Sequence, residues 1–331
     1  MSELVPFSEA TRVEKLDSHT YRANLIDSYC IGTVPNGGYT ASCLLEAARL
    51  HLKQQPDPMT AHFQFLNRTQ VGPAIIVISD VKPGRQFSML HLTLYQRGLL
   101  SESPWITASS VRAEITAYLT MTDLSKEAGL TLPTIWEPYT SFSPQSLAPP
   151  PSDFGLLKEN KDPHWFKSDL ALAGGGGGGL GTYARVLRNC DFYFPRGGQP
   201  HQSVIDLWMR FNVGDGGEGF TNSSLGFVSD AWPYVVEAYR PTRGDKPFGM
   251  AEVFWYPTVV MSLEVKRPLP EPKGVEWLRL RMQAKEIRNG RLDLEVVILD
   301  KEGRLVGVSH QVNLILGSER NTAGRENKGK I

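Results

Sequence analysis

Between Leu278 and Leu316 the chain reads LRLRMQAKEIRNGRLDLEVVILDKEGRLVGVSHQVNLIL, and this stretch leaves few folds open. Leu278, Leu280 and Met282 alternate with Arg279, Arg281 and Gln283, the period of a strand with one buried face. A strand from Leu292 to Leu299 follows Asn289-Gly290, and another from Leu305 to Ile315 follows Asp300-Lys301-Glu302-Gly303. Asn or Asp with Gly supplies the positive φ that tight hairpins need. The stretch is therefore predicted to be a three-stranded antiparallel meander. Its last strand is interrupted by Ser309-His310-Gln311. Polar groups inside such a strand must be hydrogen-bonded or line a cavity, so chemistry is sought there first.

The rest of the chain extends the pattern. Loose alternation over residues 11 to 31 suggests one or two strands, and Pro35-Asn36-Gly37-Gly38 then punctuates. Tyr39, Cys43, Ala47 and Leu50 recur at helical spacing, which predicts a helix over about 37 to 54, rich in small residues. Strands are expected around His62 to Leu66, Ala74 to Val81, Phe87 to Gln96 and Arg112 to Thr122, with Ser101 to Ser110 as a long hairpin loop. The second half repeats this order. Strands at Tyr183 to Phe194 and Gln202 to Asn212 precede an expected short helix, Phe227 to Tyr239, with Asp230 near its start. Strands near Val253 to Trp255 and Thr258 to Lys266 lead into the meander. Between the halves, six prolines between Pro133 and Pro151 and a run from Gly174 to Gly179 read as a linker with an insertion. The expected units are an N-terminal α+β unit (10–130), the linker and insertion (131–181), a C-terminal α+β unit (182–316) and a polar tail (317–331).

Composition narrows the function classes. The 35 Lys and Arg balance 35 Asp and Glu, so charge argues for neither nucleic acid nor an anionic membrane surface as partner. Cys30, Cys43 and Cys190 lack CxxC spacing and read as reduced thiols. With no signal-like or membrane-spanning apolar run, a soluble cytoplasmic protein is expected.

Two helix-and-sheet units in tandem resemble the double hot-dog acyl-CoA thioesterases. The segment NGGYTASCLLEAARLHL is similar to the family's first central helix, and AHFQFLNRTQVGPAIIVISDVKPGRQFSMLHLTLYQ to the strands after it. GFVSDAWPY resembles the start of the second helix, and VVMSLEVKRPL and GRLDLEVVILDKEGRLVGVSHQ resemble the strands that follow. The pattern is closest to fungal thioesterase-like proteins. The resemblance implies an α+β double hot-dog fold and hydrolysis of an acyl-CoA or acyl-carrier thioester without metal or other cofactor. It also allows a homo-oligomer.

In the bacterial type II enzymes an Asp, a Thr and a Gln hold a water against the thioester carbonyl. On this sequence the resemblance carries those roles to Asp230, Ser262 and Gln311, with Glu264-Val265 where the family has Asp-His. Gly37 and Gly38 would bring backbone N–H groups to the thioester oxygen, and His62 joins them as a substrate-binding candidate. Blander readings stand beside these. Asp230 could cap a helix, Ser262 could be a small strand residue, and the Gly pair could shape a turn. His62 and His310 could be rim histidines. A non-catalytic acyl-thioester binding module, or a hot-dog enzyme acting on a polyketide thioester, remains as an alternative.

Overall fold

The computed structural model describes residues 4–107, 109–134, 136, 149–169, 183–212, 217–232, 234–239 and 253–322. The N-terminal half contains β1 (Val13–Lys15), β2 (Thr20–Leu25), the helix α1 (Gly37–His51), β3 (Asp57–Phe65), β4 (Gly72–Lys82), β5 (Phe87–Arg97) and β6 (Arg112–Thr122). The C-terminal half contains β7 (Trp165–Lys167), β8 (Cys190–Pro195), β9 (Val204–Phe211), the helix α2 (Leu225–Asp230), β10 (Thr258–Val265), β11 (Leu278–Gln283), β12 (Arg291–Leu299) and β13 (Leu305–Leu314). One sheet takes in all these strands, in the order β1-β2-β4-β5-β6-β3-β10-β13-β12-β11-β9-β8-β7.

That order is the same in both halves when read outward from the centre. β3-β6-β5-β4-β2-β1 on one side answers β10-β13-β12-β11-β9-β8 on the other. The halves meet where β3 pairs antiparallel with β10, His62 opposite Ser262. Each half wraps its sheet around a helix, which is the α+β double hot-dog arrangement that the resemblance implies. The meander lies where the sequence puts it. Asn289 and Gly290 both adopt positive φ at its first turn, and Gly303 does so at the second.

α1 is buried nearly all round, from Gly38 to Leu45 and at Ala47 and Ala48, as its small residues allow. It packs against α2 through two glycines. A Cβ on Gly38 would come within 2.5 Å of the Gly226 carbonyl oxygen, so only glycine permits this approach. Tyr39, Leu44, Phe63, Phe227, Val228 and Met261 belong to one core that runs through both halves.

Two expectations need correction. The second helix starts earlier and is shorter than 227–239. α2 ends at Asp230, and a separate 3-10 turn covers Tyr234–Tyr239. Trp232, which precedes a proline and is therefore disfavoured in an α-helix, stands between them. Residues 149–169 are not a free linker. Phe154–Lys158 is helical, β7 adds to the sheet edge, and Trp165 is fully buried with Leu157, Tyr193, Trp208 and Trp277. This segment covers the outer face of the C-terminal sheet edge, while the glycine run lies outside the described residues. The start of the tail is also anchored. Asn321 is fully buried, donates to the Ile31 carbonyl and accepts from the Thr33 N–H.

Candidate active site

The site forms where the first turn of α1 meets the last residue of α2. Asn36 caps α1, its Oδ1 accepting from Tyr39 N–H at 2.9 Å. Its Nδ2 donates to Asp230 Oδ2 at 3.0 Å. The Gly38 N–H donates to the same oxygen at 2.8 Å, so the carboxylate sits on the positive end of α1. Thr258, the first residue of β10, donates from Oγ1 to Asp230 Oδ1 at 2.8 Å. Asn313 of β13 donates from Nδ2 to Thr258 Oγ1 at 2.8 Å.

Asp230 is only 3% exposed. Burial pushes its carboxyl up to about 6, against the three hydrogen bonds from Thr258, Gly38 and Asn36 that favour the charged form. A carboxyl with that pKa is ionised at neutral pH yet basic enough to take a proton. Among the described residues Oδ2 accepts twice, whereas Oδ1 accepts once and keeps a lone pair.

A pocket of about 220 Å³ opens onto this carboxylate, lined among others by Asn36, Gly37, Thr40, Phe65, Asp230 and Thr258. The Gly37 N–H has no hydrogen-bond partner among the described residues, as expected for the first residue of a helix. A Cβ there would lie 3.0 Å from Asp230 Oδ2 and 3.3 Å from the Phe65 ring, so glycine keeps the approach to this N–H open. With one carboxylate, amides and a hydroxyl, the donor set lacks the imidazole and thiolate nitrogen and sulfur ligands that a zinc site uses.

The residues singled out in the sequence divide into three groups. Asp230 and Gly37 line the pocket, and Gly38 contributes its N–H to Asp230. Gln311 lies one layer below. Its Nε2 donates to the Ser229 carbonyl at 2.7 Å, and its Oε1 is 3.4 Å from Asn313 Nδ2. Ser262 and His62 are not at the site. They hydrogen-bond to each other at 2.8 Å on the solvent-facing side of the sheet, where His62 is exposed. Asp230 closes its own helix rather than starting it, and what it caps is the other helix, α1.

Thr258, not Ser262, supplies the hydroxyl. A bulge between Thr258 and Val260 explains the difference. Four residues apart in a regular strand, Thr258 and Ser262 would share a face. The extra residue reverses the alternation, so Thr258 and Met261 point inward and Ser262 outward. Asn36 and Asn313 also escaped the sequence reading. Asn36 carried a signal, a cap residue before a helix; Asn313 carried only its even spacing from Gln311.

The chain matches the family model for the acyl-CoA thioesterase N-terminal domain over residues 25–120, and that for the C-terminal domain over residues 153–315. The thioesterase-like protein TwmA of Talaromyces wortmannii is 43% identical over 347 residues, covering 98% of this chain and 96% of that one. A hot-dog fold protein from Alicyclobacillus acidocaldarius superposes with a TM-score of 0.65 at 18% identity, over 93% of this chain and 97% of its own. The acyl-CoA thioesterase II TesB2 of Mycobacterium marinum does so with a TM-score of 0.60 at 16% identity, over 94% and 98%. Those two structures share the fold. The family models span both halves and the fungal relative spans nearly the whole chain: this protein belongs to the acyl-CoA thioesterase family, hydrolases of acyl thioesters.

Proposed function

We propose that Asp230 acts as the general base for hydrolysis of an acyl thioester in this pocket. A water held at Asp230 Oδ1 gives up a proton to that oxygen as it attacks the thioester carbonyl. The developing oxyanion accepts from the Gly37 N–H at the positive end of α1. Collapse breaks the C–S bond, the proton passes from Asp230 to the departing sulfur, and a carboxylic acid and a free thiol leave. Thr258 fixes the carboxylate through Oδ1. Asn313 and Gln311 hold Thr258 and the end of α2 in place, so their roles are positional.

The observation that carries this reading is the buried carboxylate at the pocket, with its pKa near 6 and, among the described residues, a single hydrogen bond on Oδ1. The pocket is small beside the ~300–1,000 Å³ of ordinary ligand sites, so it suits the reacting end of a substrate whose carrier stays outside. Acyl-CoA and acyl-carrier thioesters both meet that description. Thiol release from a panel of acyl-CoAs, and from the same acyl groups on phosphopantetheinyl carrier protein, tests the proposal. Turnover of at least one, lowered about 10²-fold or more in Asp230→Asn, is expected. Tight binding without turnover of any would mark an acyl-thioester binding module instead.

A further inference from the structure

At the other end of α1, about 21 Å away at 1.5 Å per residue, three side chains from three elements converge on one point. His51 is the last residue of α1, Asp80 lies on β4, and His19 sits in the turn leading into β2. His51 Nε2 is 2.9 Å from Asp80 Oδ1, and His19 Nε2 is 3.1 Å from Asp80 Oδ2. The three ligand atoms all lie within 4.8 Å of one another. We propose that His19, His51 and Asp80 form a binding site for a transition-metal dication of the Zn²⁺ class.

Several features favour a metal over a simple hydrogen-bonded trio. Both imidazoles turn the same nitrogen, Nε2, to the shared point, and both hold Nδ1 against a hydroxyl. His51 Nδ1 meets Tyr21 Oη at 3.3 Å, and His19 Nδ1 meets Ser18 Oγ at 2.8 Å. Metal-ligating histidines use their second nitrogen this way, which fixes tautomer and ring orientation. A hydroxyl either donates or accepts, so Tyr21 and Ser18 suit the tautomer that frees both Nε2 lone pairs. The His51 side chain is 8% exposed, which limits its rotation, while His19 and Asp80 are 45% and 40% exposed and free to adjust. Bonds of ~2.0–2.2 Å set tetrahedral ligand atoms roughly 3.4 Å apart, a contraction that small rotations of those two side chains supply. A cation here also lies at the negative end of α1.

The donor set selects the ion. Two imidazoles and one carboxylate suit Zn²⁺, Ni²⁺, Co²⁺ or Cu²⁺, whereas Mg²⁺ and Ca²⁺ prefer oxygen ligands. Solvent completes the coordination on the exposed side. An ion bound there would staple the end of α1 to β4 and the start of β2.

Titration of the full chain with Zn²⁺, followed by calorimetry, and with Co²⁺, followed by its visible absorption, tests the site. One Zn²⁺ per chain is expected, with Mg²⁺ failing to compete. His51→Ala and Asp80→Asn should each weaken binding by more than about tenfold, and Tyr21→Phe should weaken it by about tenfold, the scale of an outer-shell loss. Asp80→Asn keeps the side-chain shape and serves where His51→Ala fails to fold. Asp230→Asn and His62→Ala should bind as the wild type does. No uptake by the wild type overturns the proposal, as does equal uptake by Asp80→Asn and His19→Ala.

Discussion

The two halves share one backbone plan and differ at the positions that hold Asp230. β3 and β10 lie opposite each other with His62 facing Ser262, and each carries the same bulge against its neighbour, between Pro58 and Thr60 and between Thr258 and Val260. Matching the two registers sets Thr258 against Pro58, Asn313 against Met121 and Gln311 against Leu119. The helices show the same relation. Asp230 accepts the Gly38 N–H from across the helix pair, and Ser42 Oγ accepts the Phe227 N–H at 3.0 Å in the opposite direction. A buried polar group costs free energy unless fully bonded. The N-terminal half builds the same bulged strand pair with Pro, Met and Leu. The fold therefore does not require the polar set, and its presence in one half alone asks for a functional reason.

Substitutions that move the C-terminal half toward its counterpart probe this difference. Asp230→Asn should have the largest effect, a loss in kcat of about 10²-fold or more, the scale of removing a general base. KM should change less, which steady-state thiol release would show. Stability should not fall with it. The raised carboxyl pKa means that Asp230 stabilises the fold most below about pH 3.8, and that this contribution is lost as pH rises through about 6. Above pH 6 the charged group is a burden that Asn removes, so thermal melts at pH 8 should match or exceed the wild type. A fully active Asp230→Asn protein would leave Asp230 as a cap for α1 and nothing more.

Thr258→Ala comes next. It removes one hydrogen bond to a charged group, worth about 1.5–3 kcal/mol, and should lower kcat by roughly tenfold or more. The pH profile adds a direction. In the wild type, kcat/KM should fall on the acid side with a midpoint near pH 6. Without the Thr258 donor the charged form is less favoured, so the midpoint should move upward. An unchanged midpoint would separate Thr258 from the base.

Gln311→Leu copies the N-terminal half at one position. Leaving the Ser229 carbonyl unpaired should cost about 1–3 kcal/mol, with a smaller loss in kcat than Thr258→Ala. Asn313 Oδ1 is buried without a partner among the described residues. Adding Asn313→Met should therefore recover part of the stability and lower activity further, since Thr258 then loses its donor. Denaturant melts on the single and double variants would read the two effects apart. Ser262→Ala should change least, leaving kcat as it was, because its hydroxyl faces His62 on the outer surface.

The sequence by itself determined a good deal of this protein. Local chemistry sufficed for the meander, because its turns are Asn-Gly and Asp-to-Gly segments and its strands alternate cleanly. The order of strands around two helices exposed the duplication. A cap-type residue before Gly37-Gly38 placed the start of α1, and an acid beside the second helix and a glutamine in an apolar strand stood out as polar groups needing a reason. Tertiary structure decided which of these meet. No local pattern announces the bulge at Thr258, because strand pairing creates it, and that one residue reverses the facing of Thr258 relative to Ser262. The length of α2 and the contact between Gly38 and Gly226 likewise depend on packing between halves about 190 residues apart in sequence. Those long-range contacts bury Asp230 against the first turn of α1, and burial is what raises its pKa into the range of a base.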